Sequence, residues 1–304
     1  MHVPNLTMPP FNTTLMGVLR GVLDHFDVTV SDAMLYGGSG HAFLMNIHET
    51  LCPSGPYCWN YGRFLELVQN LGIEMTGRGF FSGTSDSRER AAIESILKGE
   101  LDGGTPCSLL NLENQLITGY DETGFLTAQP WAPHVDFPPA HLSFGSWSEL
   151  GDEVHVTFHT FRKVEPAADD RIVADSLQYA VDLHRNPSRH TSRPYAVGAE
   201  AFAAWIGAVR NGNGGSHGNW WNGMVWAECR AQASAYFAEI AQTYPVATAP
   251  ALALAADYRS IAQDLQEVSD KAMEAQSKLS RLERAGAKEA DCIPRIEALA
   301  AVLA

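Results

Sequence analysis

The residues best suited to binding or chemistry are concentrated in one stretch of the second half of the chain. Within fourteen positions it carries His217, Asn219, Trp220, Trp221, Asn222, Trp226, Glu228 and Arg230. Asn222, Trp226 and Arg230 recur at i, i+4 spacing, which places them on one face of a helix. This composition is typical of a small-molecule pocket and also of an interdomain interface, and the sequence leaves both interpretations open.

A glycine-rich segment, Gly37-Gly38-Ser39-Gly40-His41, resembles the G-x-S-x-G turn that carries a serine nucleophile. His41 takes the place of the last glycine and no clear strand precedes the segment, so a tight turn is the favoured interpretation. Its backbone N–H groups could still meet an anion or a carbonyl. His41, His48 and Glu49 lie close in sequence, but nothing fixes a coordination geometry, and we expect neither a metal nor a cofactor.

The densest positive charge lies at Arg189, His190 and Arg193. These residues could hold a carboxylate or a phosphate, although neutralisation of an acidic surface is the favoured interpretation. The five cysteines show no zinc-ligand spacing, so we expect free, reduced thiols that lie partly in the core.

The composition excludes several classes of protein. Of the 304 residues, 45 % are hydrophobic and 18 % charged, which excludes disorder for most of the chain. The net charge of −14 argues against nucleic acid and anionic membrane surfaces as partners. No apolar stretch approaches the ~20 residues needed to span a bilayer, and the first residues lack the basic and apolar regions of a secretory signal. We therefore expect a cytoplasmic protein.

The elements that would position these residues change along the chain. Apolar spacing predicts helices over 12–27, 60–72 and 86–100. Alternation then predicts strands over 107–120, 125–129 and 154–161, with a hairpin turn at Asp121-Glu122-Thr123-Gly124. Helices followed by antiparallel strands indicate an α+β domain over residues 1–165.

The remainder, residues 166–304, is predicted to be an all-helical domain. Helices are expected over 172–183, 200–209 and 220–243. Apolar residues then recur alternately four and three positions apart over 254–284, which predicts a heptad-patterned helix that ends at Gly286. A shorter helix over 293–303 would fold back on it to form a hairpin. The same apolar seam could instead join two copies of the chain, so a homodimer stays open.

Four short motifs in the first half resemble a known family. They are Leu19-Arg20, Ser31-Asp32-Ala33-Met34, Gly37-Gly38-Ser39-Gly40 and Gly119-Tyr120-Asp121. Together they resemble the papain-like fold, in the bacterial subgroup that includes bacteriocin-processing peptidases. Within it, the chain is most similar to the N-terminal domain of the butirosin-biosynthesis acyltransferase family, over roughly residues 10–160.

The resemblance implies a catalytic site with substituted residues. The family has a cysteine at the start of the first helix, a histidine opening the strand before the Gly-Tyr-Asp turn, and an acid or amide before a proline. Here these positions carry Thr14, Glu113 and Gln129. A threonine hydroxyl needs an adjacent base to attack, and Glu113 would be that base. The alternative is a helix N-cap beside polar strand residues that satisfy local hydrogen bonds.

The resemblance further implies acyl-transfer or amide-bond chemistry on a small molecule in specialised metabolism, with an acyl group that a carrier protein could deliver. The expected substrate-binding residues are Ser39, His41, Asn114, Tyr120, Trp131, Trp220, Trp221 and Trp226. Two other hypotheses stay open. One is a non-catalytic protein that binds a small molecule or a partner between its two domains. The other is different acid/base chemistry that uses Glu113, Asp121 and His41.

Overall fold

The structure is a computed structural model that describes residues 1–152 and 154–303. Its helices are α1 (Thr14–His25), α2 (Asp32–Gly38), α3 (Gly62–Asn70), α4 (Ser87–Asp102), α5 (Asp169–Arg185), α6 (Ala199–Arg210), α7 (His217–Thr243), α8 (Thr248–Val268) and α9 (Ala275–Leu303). Its strands are β1 (Asn46–His48), β2 (Ile73–Ser82), β3 (Cys107–Leu110), β4 (Asn114–Tyr120), β5 (Gly124–Thr127), β6 (His141–Ser143), β7 (His155–Lys163) and β8 (Tyr195–Val197). With 55 % helix and 15 % strand, the chain is α+β, as the sequence predicts.

The chain forms two compact units. The first, called here the sheet unit, comprises Met1–Val30 and Gly72–Pro166, and the second, the helical unit, comprises Ser31–Leu71 and Ala167–Ala304. The division after Pro166 lies beside the boundary expected at residue 165. The segment Ser31–Leu71 belongs to the helical unit, and no change in composition marks this in the sequence.

The sheet unit is built on a six-stranded antiparallel sheet with the order β2-β7-β3-β4-β5-β6. The strand expected over 107–120 forms two strands, because the chain reverses so that Leu110 pairs with Asn114. The predicted hairpin at 121–124 is confirmed, and the Asp121 carboxylate stabilises it by accepting the backbone N–H groups of Thr123 and Gly124. The edge strand β2 was not predicted, because its register shift between Gly77 and Phe80 breaks the alternation.

Helix α1 packs on β4 and fixes the geometry of the candidate site. Its predicted apolar face is confirmed, since Leu15, Val18 and Leu19 are buried. A Cβ at Gly21 would lie 2.0 Å from the Thr7 carbonyl oxygen and 2.7 Å from Leu116 Cδ1. Glycine is therefore required at this crossing, which brings the helix against the strand.

The helical unit packs α2, α3 and α5–α9 together with a two-stranded sheet of β1 and β8. The long helix α7 lies in the core, and two glycines let neighbouring backbone approach it. A Cβ would lie 1.6 Å from the Leu51 carbonyl oxygen at Gly218, and 2.6 Å from Ser269 Cβ at Gly223. The predicted helices over 172–183, 200–209 and 220–243 are confirmed. The first two extend further at both ends, and the third begins earlier, at His217.

The continuous heptad helix predicted over 254–284 is wrong, because the chain leaves the helix between Val268 and Ala275. There the Ser269 hydroxyl donates to the Gln266 carbonyl oxygen at 2.6 Å, and the Asp270 carboxylate accepts the Ala272 N–H at 2.8 Å. Such local bonds compete with helical ones. Gly286 does not end a helix either, because it lies inside α9, where a Cβ would be 3.0 Å from the Phe202 ring.

A helical hairpin does exist, but α8 and α9 form it. Ion pairs join Glu267 to Arg281, Asp264 to Arg284 and Asp257 to Arg295, so the two helices run antiparallel. The separate helix expected over 293–303 is the end of α9, which continues through Pro294. No helix in the described part of the chain is both long enough and apolar enough to cross a membrane.

Candidate functional site

The candidate site lies in the sheet unit, where the N-terminal end of α1 meets the start of β4. Thr14, the first residue of α1, donates its hydroxyl proton to Glu113 Oε2 at 2.7 Å. Its Oγ1 also accepts the backbone N–H of Asn114 at 3.1 Å. The N-cap position belongs to Thr13, so Thr14 is not the cap of this helix. A carboxylate at this distance can take the hydroxyl proton as the oxygen attacks a carbon atom.

The Thr14–Glu113 pair is largely shielded from water. Thr14 is 1 % exposed and Glu113 7 % exposed. A hydrogen bond between a hydroxyl and a carboxylate is stronger in such a low-dielectric region than in water. The first turn of α1 carries no acidic residue, so its positive end is not compensated by a side chain of its own. The helix therefore favours negative charge beside Thr14.

Asn114 adds a donor to this site. Its side chain is 2 % exposed, and its Nδ2 has no hydrogen-bond partner among the residues that the structure describes. Leu116, two positions along β4, contacts α1 at Gly21. Because alternate strand residues share a face, Asn114 also faces α1, towards the end that carries Thr14. A buried amide without a partner is uncommon and calls for an explanation such as a water or ligand acceptor.

The structure does not bring Gln129 into hydrogen-bond contact with this pair. Its Nε2 donates to the Pro138 carbonyl oxygen at 2.9 Å, and within the described residues its side chain bonds to neither Thr14 nor Glu113. The amide holds together the ends of the loop that follows β5. Of the three residues expected to act together, the structure therefore joins Thr14 and Glu113.

Of the other expected binding residues of the sheet unit, Tyr120 lies at the far end of β4 and Trp131 lies in the loop after β5. Tyr120 ends β4, about 20 Å along the strand from Asn114, and its hydroxyl donates to Asp102 at 2.8 Å. Trp131 is half-buried in the loop after β5, and its carbonyl oxygen accepts the N–H groups of His134 and Val135. These contacts give Tyr120 a structural role at the opposite end of the strand.

In the helical unit, His41 forms a buried pair with Cys229. The Cys229 sulfur lies 3.5 Å from His41 Nδ1, and the rings of Tyr36, Trp59, Phe64 and Trp226 surround the imidazole. Burial, assisted by the charge of Arg230, lowers the pKa of His41 from 6.5 to about 3. A neutral imidazole cannot form the ion pair that activates a cysteine. The pair therefore belongs to the core, and its partners are too far apart in sequence for spacing to reveal it.

The serine of the glycine-rich segment is also internal. Ser39 follows α2, is completely buried, and donates its hydroxyl to the Tyr36 carbonyl oxygen at 3.2 Å. Gly40 takes a left-handed conformation and turns the chain into a 3-10 turn at His41–Phe43. The expected tight turn is present at Gly40, whereas Gly37 and Gly38 are the last residues of α2.

The expected tryptophan residues on α7 differ in their surroundings. Trp226 is completely buried and donates its indole N–H to Asn222 at 3.0 Å, as their i, i+4 spacing predicts. Trp221 donates to the Tyr57 hydroxyl at 3.1 Å. Trp220 is half-buried, with the Lys271 ammonium 5.1 Å from its ring centre. Because the indole N–H of Trp226 is already bonded and its ring is in the core, it has no donor left for a ligand.

Arg230, at the end of the same face, is part of a closed ion-pair network. It binds Glu289 through two hydrogen bonds of 2.9 and 2.6 Å and donates to the Ala42 and Leu44 carbonyl oxygens. Burial raises the pKa of Glu289, but Arg230 and a hydrogen bond from His184 outweigh it, and the pKa falls to about 2. The sequence indicated Arg230 but not Glu289, its distant partner on α9.

Asp121 has a role in the turn rather than in acid/base chemistry. Hydrogen bonds from the Thr123 side chain, and then from the Thr123 and Gly124 backbone, lower its pKa to about 2. Asp121 therefore stays ionised near neutral pH. Of this group, Glu113 is the carboxylate that is buried and bonded to the hydroxyl of Thr14, whereas the hydroxyl partner of the exposed Asp121 is Thr123 in its own turn.

Comparison with known proteins adds no family to this geometry: no family model matches the chain, and no curated protein matches it.

Proposed function

We propose that this chain catalyses acyl transfer or amide-bond chemistry on a small molecule, with Thr14 as the nucleophile and Glu113 as the base. The hydrogen bond of 2.7 Å between Thr14 Oγ1 and Glu113 Oε2 carries the proposal. The resemblance to the butirosin-biosynthesis acyltransferase family and the papain-like fold supports it, because it implies a nucleophile and a base at these two positions. The same resemblance points to bacterial specialised metabolism.

In the first step, Thr14 Oγ1 attacks the carbonyl carbon of an ester, thioester or amide. Its proton passes to Glu113, and the carbonyl π electrons move onto the oxygen. When the tetrahedral intermediate collapses, the bond to the leaving group breaks and that group takes the proton from Glu113. The products are an acyl-threonine ester and the free alcohol, thiol or amine. A carrier-bound thioester is one suitable donor.

In the second step, Glu113 takes a proton from the acceptor, an amine or a water molecule, as it attacks the acyl-threonine carbonyl. The ester bond breaks, and Thr14 Oγ1 recovers its proton from Glu113. Atoms and charge therefore balance without a metal or cofactor.

The negative charge that develops on the carbonyl oxygen needs a donor. Asn114 Nδ2 is suited to this role, because it is buried, unpartnered among the described residues and on the strand face towards α1. The positive end of α1 adds to the same field. We assign this role to Asn114, because the amide of Gln129, the third residue that the resemblance implies for the site, is bonded to Pro138.

The proposal also requires movement. Since Thr14 is 1 % exposed, a substrate carbonyl reaches its oxygen only when neighbouring groups move aside. We therefore expect acylation to be slower than in an open site and to be limited by this opening.

The test is hydrolysis of an activated aryl ester such as p-nitrophenyl acetate. Glu113→Gln and Thr14→Val should each lower kcat/KM by about 10²-fold or more, while Thr14→Ser should retain activity. The matched control is Thr118→Val on the same strand, whose hydroxyl bonds to the Leu126 carbonyl oxygen. Equal rates in the wild type, Thr14→Val and Glu113→Gln would favour the alternative, a non-catalytic protein.

A further inference from the structure

A second, independent feature is an open cleft in the helical unit. It has a volume of about 510 Å³ and is lined by Cys58, Trp59, Asn60, Ser188, Arg189, Thr191, Ser192, Arg193 and Tyr195. This volume is within the range of small-molecule sites. The cleft is formed by the loop before α3 and the segment between α5 and β8. None of its lining residues belongs to the candidate site around Thr14.

The charge of the cleft differs from that of the chain. The protein has 35 acidic and 21 basic residues, yet the lining holds two arginines and no carboxylate. Arg193 is exposed and forms no ion pair within residues 1–152 and 154–303. Among the described residues, the one ion pair of Arg189 is a long contact of 3.8 Å with Asp182, which also binds His190 at 2.8 Å. Both guanidinium groups are therefore available to an anion.

The walls of the cleft are held in place by hydrogen bonds. Asn60 connects the two segments that form the walls. Its Nδ2 donates to the Arg189 carbonyl oxygen at 2.9 Å, and its backbone N–H donates to the His190 carbonyl oxygen at 2.7 Å. His190 is buried against Tyr179. On the other side, the Tyr195 and Ser54 hydroxyls bond at 2.8 Å. The cleft is thus preformed, which lowers the cost of ordering it around a ligand.

Its remaining surface consists of hydrogen-bond donors and aromatic edges. Ser188, Thr191 and Ser192 supply hydroxyl groups, and Trp59 stacks on Tyr61 with ring centres 4.0 Å apart. Burial, and then a hydrogen bond with Cys58, raise the pKa of Tyr195 to about 12. Donors around two guanidinium groups suit an oxyanion, and the aromatic edges suit an organic body.

We infer that this cleft binds a small organic anion, with its carboxylate or phosphate group held by Arg189 and Arg193 and its body against Trp59 and Tyr195. A nucleic acid is not the ligand, because the net charge of −14 would repel it. The site stands independently of the chemistry proposed for Thr14.

Cys58 offers a direct assay, because it is the exposed cysteine of the cleft, while Cys107, Cys229 and Cys292 are buried. The rate of its alkylation by N-ethylmaleimide is measured by peptide mass spectrometry with phenyl phosphate, benzoate or neutral benzamide at millimolar concentration. At least one of the two anions should slow alkylation of Cys58, and benzamide should not. The stronger anion identifies phosphate or carboxylate as the preferred group.

The double variant Arg189→Gln/Arg193→Gln should weaken anion protection by about tenfold or more, because charge-assisted hydrogen bonds are lost. Arg171→Gln, an exposed arginine on α5 outside the cleft, is the matched control and should retain protection. Both cleft arginines are exposed, so the fold should persist, and a far-ultraviolet circular dichroism spectrum checks this. The inference is overturned if neither anion protects Cys58, if benzamide protects equally, or if the double variant is protected like the wild type.

Discussion

The two units each bury a polar cluster, and the clusters differ in how completely they are satisfied. In the helical unit, every nitrogen of the Arg230 guanidinium has a partner, in Glu289 or in backbone carbonyl oxygens. In the sheet unit, the Thr14–Glu113 bond lies beside Asn114, whose Nδ2 has no partner in the described part of the chain. A closed network is suited to holding helices together. A hydroxyl–carboxylate pair beside a donor without a partner in the described residues is suited to a ligand.

An unpartnered atom alone does not define a site, and His41 shows this. Its Nε2 also has no partner among the described residues, but aromatic rings enclose the imidazole and leave it neutral. Asn114 differs because Thr14, Glu113 and the N-terminal end of α1 lie next to it. If this difference is real, substitutions in the Arg230–Glu289 network should lower stability, and substitutions around Thr14 and Asn114 should lower activity.

The largest effect on stability is expected from Arg230→Met, which leaves the buried Glu289 carboxylate without its arginine partner. We expect a loss of about 3–5 kcal/mol in the free energy of unfolding, measured by urea denaturation. The double variant Arg230→Met/Glu289→Leu should recover much of this loss. Arg210→Ala, from an exposed pair with Glu283, is the control and should cost about 0–1 kcal/mol. A single variant as stable as the wild type would contradict a structural role for the network.

A smaller effect is expected from pH acting on His41. Its folded pKa of about 3 lies below the ordinary 6.5, so between these values the unfolded chain binds a proton that the folded chain does not. This contribution to stability is complete above pH 6.5 and decreases as pH falls, by at most about 1.4 kcal/mol per unit.

The corresponding measurement compares unfolding at pH 7 and pH 5. The wild type should lose about 2 kcal/mol through His41, and His41→Phe should remove that part of the pH dependence. His217→Gln changes an exposed histidine of α7 and should leave the dependence as it is. An unaltered slope in His41→Phe would show that His41 is not buried in its neutral form.

The smallest effect on stability, and the sharpest contrast with Arg230, is expected for Asn114→Leu. Because Asn114 Nδ2 makes no hydrogen bond with the described residues, its loss should change the free energy of unfolding by no more than about 1 kcal/mol. Ester hydrolysis should nevertheless fall by about 10²-fold, as for a lost oxyanion donor. Leu116→Ala, a purely apolar neighbour on the same face, should show the opposite pattern. A destabilised but active Asn114→Leu would give Asn114 a structural role.

Much of the fold could be predicted from local sequence patterns. Periodicity predicted the apolar face of α1, the hairpin at Asp121 and the helices of the second half, because each depends on neighbours in the chain. Periodicity gave wrong predictions where contacts between residues distant in the chain determine where a helix begins or ends. Gly286 is a breaker by its residue type, yet it serves α9 by making room for Phe202. The heptad seam crossed Ser269 and Asp270, whose side chains offer the backbone other partners.

In the candidate site, too, the sequence could not predict contacts between residues that are distant in the chain. Spacing alone could not pair Thr14 with Glu113, which lie far apart in the chain, and the family resemblance supplied that expectation. Gln129 came from the same argument, but its neighbour Pro130 carries no information about where the amide points. The pair His41–Cys229 and the partner of Arg230 had no signal in the sequence, because tertiary packing alone brings them together.

The most direct test of the central claim is detection of an acyl group on Thr14. The protein is incubated with an activated aryl ester, quenched in acid, and analysed by intact mass and by peptide mass spectrometry. We expect one acyl group on the peptide that contains Thr14. It should be absent in Thr14→Val and strongly reduced in Glu113→Gln, and Thr118→Val should be labelled like the wild type. An adduct that survives in Thr14→Val, or no adduct in a folded wild-type protein that hydrolyses the ester, would contradict it.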